Sequence, residues 1–198
     1  MGFLKRLKHR FRYELSRKVK PVMITGLRTC DGELFHNIRW SSTTHFGSIK
    51  NIKFSDDIFI GHYNFIEASN GISIGRGCQL TNFISITTHS SHNSIRLYGK
   101  EYDKYPEPLG YIKGSISIGE YCFIGPHSVI MPGTKIGKGC IVSAFSYVNG
   151  EFPDFSIIAG NPAKITGDTR TADKILLEKF PELKPFYQAW AGSVVANE

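Results

Sequence analysis

The chain has 198 residues, 41% of them hydrophobic, which is enough to bury one core and predicts a single domain with terminal appendages. Twenty-four lysines and arginines outnumber 17 aspartates and glutamates, so the formal net charge is +7. No apolar run approaches the ~20 residues that a membrane-spanning helix needs, so the sequence predicts no such helix.

The excess positive charge lies in the first twenty positions. Residues 1–20 hold eight basic side chains and one acidic side chain, whereas the remainder of the chain is balanced at 16 of each sign. The apolar residues of this segment recur at helical spacing: Phe3, Leu4, Leu7, Phe11, Leu15 and Val19. The pattern predicts a basic amphipathic helix that contacts an anionic membrane surface. The alternative is a helix packed on the protein with a solvated basic face. Nucleic acid is not expected as a partner, because aromatic and basic residues do not alternate on a common platform.

Residues 21–53 contain short apolar runs broken by proline and glycine, and we interpret them as an irregular start of the main domain. From position 118 onward an aliphatic residue recurs at every sixth position: Ile118, Ile124, Ile130, Ile136, Val142 and Val148. A small residue stands four places after each of the first five: Cys122, Ser128, Thr134, Cys140 and Ser146. A period of six fits neither an α-helix nor a hairpin sheet. It predicts a parallel β-helix in which each hexad forms one flat face of a coil.

The same period appears earlier with one interruption. Its aliphatic or aromatic positions, which slip by two residues at Asn70–Gly71, are Phe54, Ile60, Ile66, Ile74, Leu80 and Ile86. Between residues 87 and 115 the hexads are absent, so this stretch is predicted to leave the coil as an excursion loop. A long excursion from a compact repeat is usually functional or disordered, and the tyrosines and the Pro106-Glu107-Pro108 turn favour an ordered arm.

Three of the four cysteines, Cys78, Cys122 and Cys140, occupy the small-residue position of a hexad, and we interpret them as packing residues. Cys30 stands alone, and no zinc-ligand spacing is present. The cysteine usage is therefore typical of a reduced, cytoplasmic protein without a metal. Downstream of the coil, residues 168–198 carry apolar residues at helical spacing, interrupted by Pro181 and Pro185. They are predicted to form short helices that cap the open end of the coil.

The candidate catalytic residues lie where the chain leaves the early coils. His89 and His92 fall in the segment Thr87-Thr88-His89-Ser90-Ser91-His92-Asn93. An imidazole that titrates near neutral pH is a suitable general base for an alcohol. No spacing of serine or cysteine with histidine suggests a covalent nucleophile, which favours direct transfer from an activated donor.

The hexads, this Thr/Ser/His segment and the closing Ile157-Ile158-Ala159-Gly160-Asn161-Pro162-Ala163-Lys164 together resemble the hexapeptide-repeat O-acetyltransferases. The similar members are the maltose and galactoside acetyltransferases and the acetyltransferases of lipopolysaccharide and capsule synthesis. The resemblance implies an all-β fold, a left-handed parallel β-helix over residues 21–167. It also implies a homotrimer that binds acetyl-CoA between neighbouring prisms and uses a histidine to deprotonate a sugar hydroxyl.

Choosing between the two histidines depends on register. Ser91-His92-Asn93 resembles the family's Ser-His-Asp, and Thr87-Thr88-His89 resembles its Thr-Gly-His. His92 lies six residues after Ile86, close to the family's spacing of about five, and this spacing favours His92, with His89 as the alternative.

Further residues are carried over from the resemblance. The acetyl-CoA positions are Gly125, Pro126, Ser143, Ala144, Gly160, Asn161, Pro162 and Lys164. Asn64, Glu67 and Tyr98 are expected to contact the acceptor, which is a glycan or a lipid-linked saccharide. Asn149–Gly150 departs from the family, where Thr-Lys often follows the final hexad, so one cation for the cofactor is missing here. The basic segment 1–20 favours an acceptor at the inner face of the cytoplasmic membrane.

Three alternatives stay open from the sequence. The same base could serve an amino sugar, which would make the protein an N-acetyltransferase. The γ-class carbonic anhydrases share the coil and bind zinc through three histidines, for which His62, His89 and His92 are the candidates here. A catalytically silent coil used for assembly is the third.

Overall fold

The computed structural model describes residues 20–28 and 32–192. The predicted amphipathic helix lies outside the described residues except for Lys20, and so do Cys30 and the last six residues of the chain.

The described chain is built mainly of short strands. The strands are β1 (Met23–Arg28), β2 (Leu34–Ser41), β3 (His45–Gly47), β4 (Ile52–Phe54), β5 (Phe59–Ile60), β6 (Phe65–Glu67), β7 (Ile72–Ile74), β8 (Gln79–Leu80), β9 (Ser85–Thr87), β10 (His89–Ser90), β11 (Ile112–Lys113), β12 (Ile116–Ile118), β13 (Phe123–Ile124), β14 (Val129–Ile130), β15 (Lys135–Ile136), β16 (Ile141–Val142), β17 (Tyr147–Val148), β18 (Glu151–Phe152), β19 (Ser156–Gly160) and β20 (Ala163–Asp168). The α-helices are α1 (Ser94–Tyr98), α2 (Thr169–Lys179) and α3 (Lys184–Ala191), and 3₁₀ turns cover Ile49–Asn51, Gly99–Lys104 and Pro181–Leu183.

Three sheets form the sides of a triangular prism. Sheet A has the order β1-β2-β5-β8-β13-β16-β19-β20, sheet B the order β17-β14-β9-β6-β3, and sheet C the order β18-β15-β12-β7-β4. Neighbouring coils pair in parallel and in register, as in Ile60↔Leu80 and Ile124↔Val142, while hairpins add β1 and β20 antiparallel at the two ends of sheet A. The six-residue period is thus confirmed as a parallel β-helix whose chain visits the three sheets in turn.

The inward positions of the hexads form one core. The fully buried large side chains include Ile60, Ile66, Ile74, Leu80, Ile86, Ile116, Ile124, Ile130 and Ile158. Burial of each contributes about 1.5–3 kcal/mol relative to exposure. The small-residue positions are buried as well, and there Cys78 and Cys122 donate through Sγ to the carbonyls of Gly119 and Gly137 in the next coil, at 2.9 and 3.0 Å. The three described cysteines are therefore packing residues, as predicted.

The prism has three corners, which we name AB, BC and CA after the sheets that meet there. At the CA and AB corners of the inner coils, and at one turn of the BC corner, the residue three places after the inward residue adopts a positive φ, a conformation in which glycine has no steric penalty. Glycine occupies this position at Gly77 and Gly139 on the CA corner and at Gly133 on the BC corner. Three larger residues of the CA corner, Asp57, Tyr121 and Phe155, also adopt a positive φ there, and at the AB corner the residues are Tyr63, Phe83, His127 and Phe145.

The excursion leaves the BC corner as an ordered arm. Its stem is the antiparallel pair β10–β11, in which His89 faces Lys113 and Ser90 faces Ile112. The tip folds on itself, because the hydroxyl of Tyr98 accepts a hydrogen bond from the backbone N–H of Leu109.

The C-terminal helices cover the CA corner. Asp168 caps α2 by accepting a hydrogen bond from the backbone N–H of Arg170. The ring of Trp190, near the end of α3, lies 4.5 Å from the ring of Tyr121 and 5.9 Å from that of Phe155. The two predicted helices are present, and their contacts run along the side of the prism. In the part of the chain that the structure describes, no helix is long and apolar enough to cross a bilayer.

The close stacking of coils predicts that position 119 requires glycine. A Cβ atom at this position would lie 2.5 Å from the backbone nitrogen of Lys138, so Gly119→Ala should lower the free energy of unfolding by about 3 kcal/mol. Gly133→Ala is the control, since its added Cβ meets nothing within 4 Å and only the positive φ opposes it, at about 1 kcal/mol. Urea unfolding of both variants measures the difference, and equal losses would contradict the stacking explanation.

Candidate functional site

The BC corner brings together side chains from two adjacent coils. Glu67 ends β6, Thr87 ends β9 directly above it, and His89 begins the excursion two residues later. The two-residue slip at Asn70–Gly71 widens the corner below the excursion. The amide of Asn70 donates to the carbonyl of Thr88 at 3.1 Å, which fixes the chain where it turns outward.

Glu67 and His89 form a hydrogen-bonded dyad. Oε2 of Glu67 lies 2.8 Å from Nδ1 of His89, with 14% of the Glu67 side chain and 36% of the His89 side chain exposed. The carboxylate also accepts hydrogen bonds from the N–H of Ser69 at 2.7 Å, from the hydroxyl of Thr88 at 2.9 Å and from the N–H of Thr88 at 3.3 Å. Burial alone would raise the pKa of Glu67, but the hydrogen bonds from Ser69 and Thr88 outweigh it and hold the pKa below its usual value. The carboxylate is therefore ionised at neutral pH.

The dyad defines the tautomer of His89. An ionised carboxylate accepts hydrogen bonds only, so Nδ1 carries the proton and Nε2 keeps a free lone pair. The ring of Tyr111, on the returning arm of the excursion, stacks on the imidazole with centroids 5.6 Å apart and planes 12° apart. Contacts from both the coil and the arm thus fix the orientation of the imidazole.

His92 has a different environment. Its side chain is exposed, and Nδ1 lies 2.7 Å from Oγ of Ser90, a neutral hydroxyl. Its backbone carbonyl accepts from the guanidinium of Arg96 at 2.8 Å. The carboxylate of Glu67 contacts His89, whereas the spacing from Ile86 favoured His92 as the base.

Two residues expected to contact the acceptor are used inside the protein. Asn64 is 2% exposed, and its amide bonds to the carbonyls of Gly61 and Thr81 and to the N–H of Ile84. It occupies a small-residue position, where it ties two coils together. Tyr98 is half-buried and bonded within the arm. Glu67, the third, lies at the BC corner but is engaged by His89.

The residues carried over for acetyl-CoA lie along the AB corner on successive coils. Gly125 and Pro126 follow β13, Ser143 and Ala144 follow β16, and Gly160 ends β19. The N–H of Gly160 donates to Oγ of Ser146, 3.3 Å away, which joins the last two of these coils. Asn161 and Pro162 form the exposed turn into β20, where Lys164 is also exposed. Gly125 also has a packing role, since a Cβ there would lie 2.6 Å from the nitrogen of Ala144.

One chain does not bring the histidine and these positions together. Sheet B separates the AB corner from the BC corner, and the five residues from Ile84 to Thr88 span roughly 15 Å at a strand rise of about 3.3 Å per residue. The base and the cofactor positions of the same chain therefore face different directions.

The structure gives no support to a three-histidine zinc site. Within residues 20–28 and 32–192, no three histidine, cysteine, aspartate or glutamate side chains are placed to hold a metal ion. His62 lies at the AB corner with Nδ1 2.6 Å from Oγ of Ser41, on the far side of sheet B from His89.

The lowered pKa of Glu67 predicts a specific dependence of stability on pH. A carboxylate whose pKa is lower in the folded protein than in the unfolded chain stabilises the fold above the unfolded value, 4.5, and this contribution is lost as the pH falls through the lower, folded value. Glu67→Gln should therefore flatten the fall in melting temperature between pH 5 and about pH 3. Thermal unfolding across this range measures it. Glu107→Gln is the control, because that exposed carboxylate pairs with Lys113 at the surface, and equal profiles for both variants would contradict the assignment.

Comparisons with known proteins identify the repeat. The family described as bacterial transferase hexapeptide (six repeats) matches residues 115–150. WbbJ of Escherichia coli (strain K12), which is named for lipopolysaccharide biosynthesis O-acetyl transfer, is 31% identical over 58% of this chain and 59% of its own length. The galactoside O-acetyltransferase of the same strain is 32% identical over 46% of this chain and 40% of its own length. The chain thus spans about half the length of these curated relatives.

Solved structures agree on the fold. A galactoside acetyltransferase in complex with coenzyme A superposes with a TM-score of 0.56 at 22% identity, covering 66% of this chain and 62% of that protein. A hexapeptide-repeat acetyltransferase from Vibrio cholerae superposes with a TM-score of 0.58 at 24% identity, covering 67% of this chain and 70% of that protein. The handedness expected from the resemblance is thereby confirmed: the chain carries the hexapeptide repeat of bacterial transferases, wound into a left-handed parallel β-helix.

Proposed function

We propose that the protein is an acetyl-CoA-dependent O-acetyltransferase that acts on a sugar hydroxyl of a lipopolysaccharide, capsule or other surface-polysaccharide precursor. The observation that carries the proposal is the Glu67–His89 dyad, an oriented and partly exposed imidazole whose Nδ1 faces a carboxylate at the edge of the coil. His89 is the proposed base, because it has the carboxylate partner that His92 lacks.

The chemistry of the dyad fits direct transfer. Nε2 of His89 takes the proton of the acceptor hydroxyl while Nδ1–H stays bonded to Glu67, whose negative charge stabilises the imidazolium. Acetyl-CoA supplies the acetyl group as a thioester, so a C–O bond to the sugar forms as the C–S bond breaks. His89 then returns its proton to the thiolate that leaves, and the base is restored without a covalent enzyme intermediate.

The AB corner fits the donor in chemical character. Between its inward residues it presents the small, exposed side chain of Ala144, with the exposed cation of Lys164 at one end, which suits an apolar arm that ends in phosphates. Since the base lies at the BC corner, a complete site requires the BC corner of one chain and the AB corner of another. This separation supports a homotrimer. The Vibrio cholerae acetyltransferase has also been solved in complex with acetyl-CoA, and that structure superposes on this chain with a TM-score of 0.55 at 25% identity.

An amino sugar is the second candidate acceptor. An N-acyltransferase from Bacillus cereus, solved in complex with dTDP and coenzyme A, shares the fold with a TM-score of 0.56 at 18% identity. The same base could serve an amine, and the product distinguishes the two: an ester is cleaved by mild alkali, whereas an amide is stable.

The proposal predicts acetyl transfer that depends on His89. Incubated with radiolabelled acetyl-CoA and extracts of lipid-linked saccharides, the protein should yield alkali-labile labelled glycan. His89→Asn should reduce turnover 10²–10⁴-fold, the usual contribution of a general base. His92→Asn is the matched control and should retain turnover within a few-fold.

Two outcomes would contradict acetyl transfer with His89 as the base. Near-normal turnover of His89→Asn with loss in His92→Asn would assign the base to His92, the residue that the sequence favoured. Absence of labelled product together with absence of coenzyme A binding by calorimetry would favour a coil used only for assembly.

We further propose that residues 1–20 hold the protein at the inner face of the cytoplasmic membrane, where a lipid-linked acceptor is found. The support is the concentration of eight basic residues on an amphipathic pattern. Deletion of residues 2–20 should abolish sedimentation with vesicles containing anionic lipid, and full-length protein should lose the same binding in high salt. Unchanged sedimentation of the truncated protein would show that the segment packs elsewhere.

A further inference from the structure

A depression opens on sheet C directly beside the BC corner, and we call it the hydroxyl pocket. Its volume is about 250 Å³, and its polar and glycine lining residues are Asn51, Lys53, Gly71, Ser73, Ser115 and Ser117. None of these residues belongs to the Glu67–His89 dyad or to the acetyl-CoA positions of the AB corner. The pocket is therefore a separate feature that acetyl transfer by the dyad does not explain.

The register of sheet C creates the pocket. Lys53, Ser73 and Ser117 pair with one another on successive coils, and each stands at the outward position of its strand. Lys135 follows in the next coil, in register with Ser117. The two short serines thus leave a low area between two long lysine side chains, and the lysine on one side lines the pocket.

The hydrogen-bond donors of the pocket have no partner in the described protein. Within residues 20–28 and 32–192, the ammonium of Lys53 forms no ion pair, and the hydroxyls of Ser73, Ser115 and Ser117 form no hydrogen bond. The hydroxyls of the small-residue positions differ, since Thr134, for example, donates to a main-chain carbonyl at 2.7 Å. The lining residues include no carboxylate. Four side chains with free donors and no acidic neighbour in the lining are complementary to a group that only accepts hydrogen bonds.

We propose that the hydroxyl pocket binds a phosphate group of the acceptor, which makes the acceptor a phosphate-linked saccharide. Lysine ammonium groups and serine hydroxyls are common partners of phosphate oxygens. A second cation, Lys50, lies on the 3₁₀ turn at the same corner and forms no ion pair among the described residues. A neutral sugar needs no cation, whereas a phosphate gains from both. The inference rests on the proposed function in that the acceptor is a saccharide.

The pocket is continuous with the dyad. The amide of Asn51 donates to the carbonyl of Ser69 at 3.1 Å, and the hydroxyl of Ser69 lies 3.2 Å from Nδ1 of His89. Across the stem of the excursion, His89 faces Lys113, and Ser115 lies two residues farther along, roughly 7 Å at the rise of a strand. One or two sugar rings bridge such a distance. The acetylated hydroxyl therefore belongs to the sugar that carries the phosphate or to the next sugar.

Calorimetric titration with inorganic pyrophosphate tests the pocket directly. Saturating coenzyme A is present, so that the probe is kept from any phosphate site of the cofactor. The wild type should bind pyrophosphate, and Lys53→Gln should weaken the binding about tenfold, because a hydrogen bond between two charged groups is lost. Lys135→Gln is the matched control, since Lys135 stands in the same outward column but bonds to Glu151 at 2.7 Å. This variant should bind like the wild type.

Several results would overturn the phosphate site: no binding of pyrophosphate by the wild type, unchanged binding by Lys53→Gln, or equal weakening by Lys135→Gln. Tighter binding of glucuronate than of pyrophosphate would assign the pocket to a carboxylate and would overturn it as well. Lys53 is exposed, so loss of folding does not confuse the comparison.

Acetyl transfer separates this inference from the proposed function. With extracts of lipid-linked saccharides, Lys53→Gln should raise the apparent KM for the acceptor several-fold and leave kcat unchanged. Mild acid, which cleaves the saccharide from its phosphate, should raise the KM of the wild type to that of the variant. A protein that binds pyrophosphate through Lys53 but transfers no acetyl group would defeat the proposed function alone. Transfer whose KM responds neither to Lys53→Gln nor to acid treatment would keep that function and defeat the acceptor phosphate site.

Discussion

The in-register stacking of coils about 4.8 Å apart is the constraint on which the rest of this protein depends. Every inward position must hold a residue that packs on its counterpart one coil away, and every close approach of backbone must leave room, as at Gly119, where a Cβ would lie 2.5 Å from the next coil. The interior of such a body is filled by stacked apolar side chains. Polar chemistry is therefore confined to positions where the repeat is broken or turned, which are the corners and the excursion.

The three corners turn the chain from one sheet to the next with different residues, and each corner contacts a different part of the molecule. The CA corner uses Gly77 and Gly139 and is covered by the C-terminal helices through Trp190. The BC corner is widened by two residues and opened by the excursion, which places Glu67 beside His89. The AB corner keeps strained aromatic side chains in the open. Since the CA and AB corners share the same positive-φ geometry, the difference between their side chains reflects what each corner contacts.

The repeat, the excursion and the buried cysteines could be predicted because they follow from a fixed period in the sequence. The pairing of Glu67 with His89 could not, because it depends on how far the slip at Asn70–Gly71 displaces one coil and on the direction in which the excursion leaves. The number of residues after Ile86 favoured His92. That prediction did not identify the imidazole that contacts Glu67, because spacing along the chain does not determine which histidine meets a carboxylate. The burial of Asn64 could have been predicted from the sequence. It occupies the same small-residue position of the hexad that led us to place the cysteines in the interior.

A triangular prism is convex at its corners and flat on its sides, whereas sites that hold small molecules are concave and exclude water from the reacting atoms. Neither the dyad at the BC corner nor the small residues at the AB corner can form such a site alone. Two prisms set side by side create a cleft between the corner of one and the face of the other, and the arm that carries Tyr111 can close it from one end. Under the proposed function, acetyl transfer therefore requires that the BC corner of one copy meet the AB corner of another.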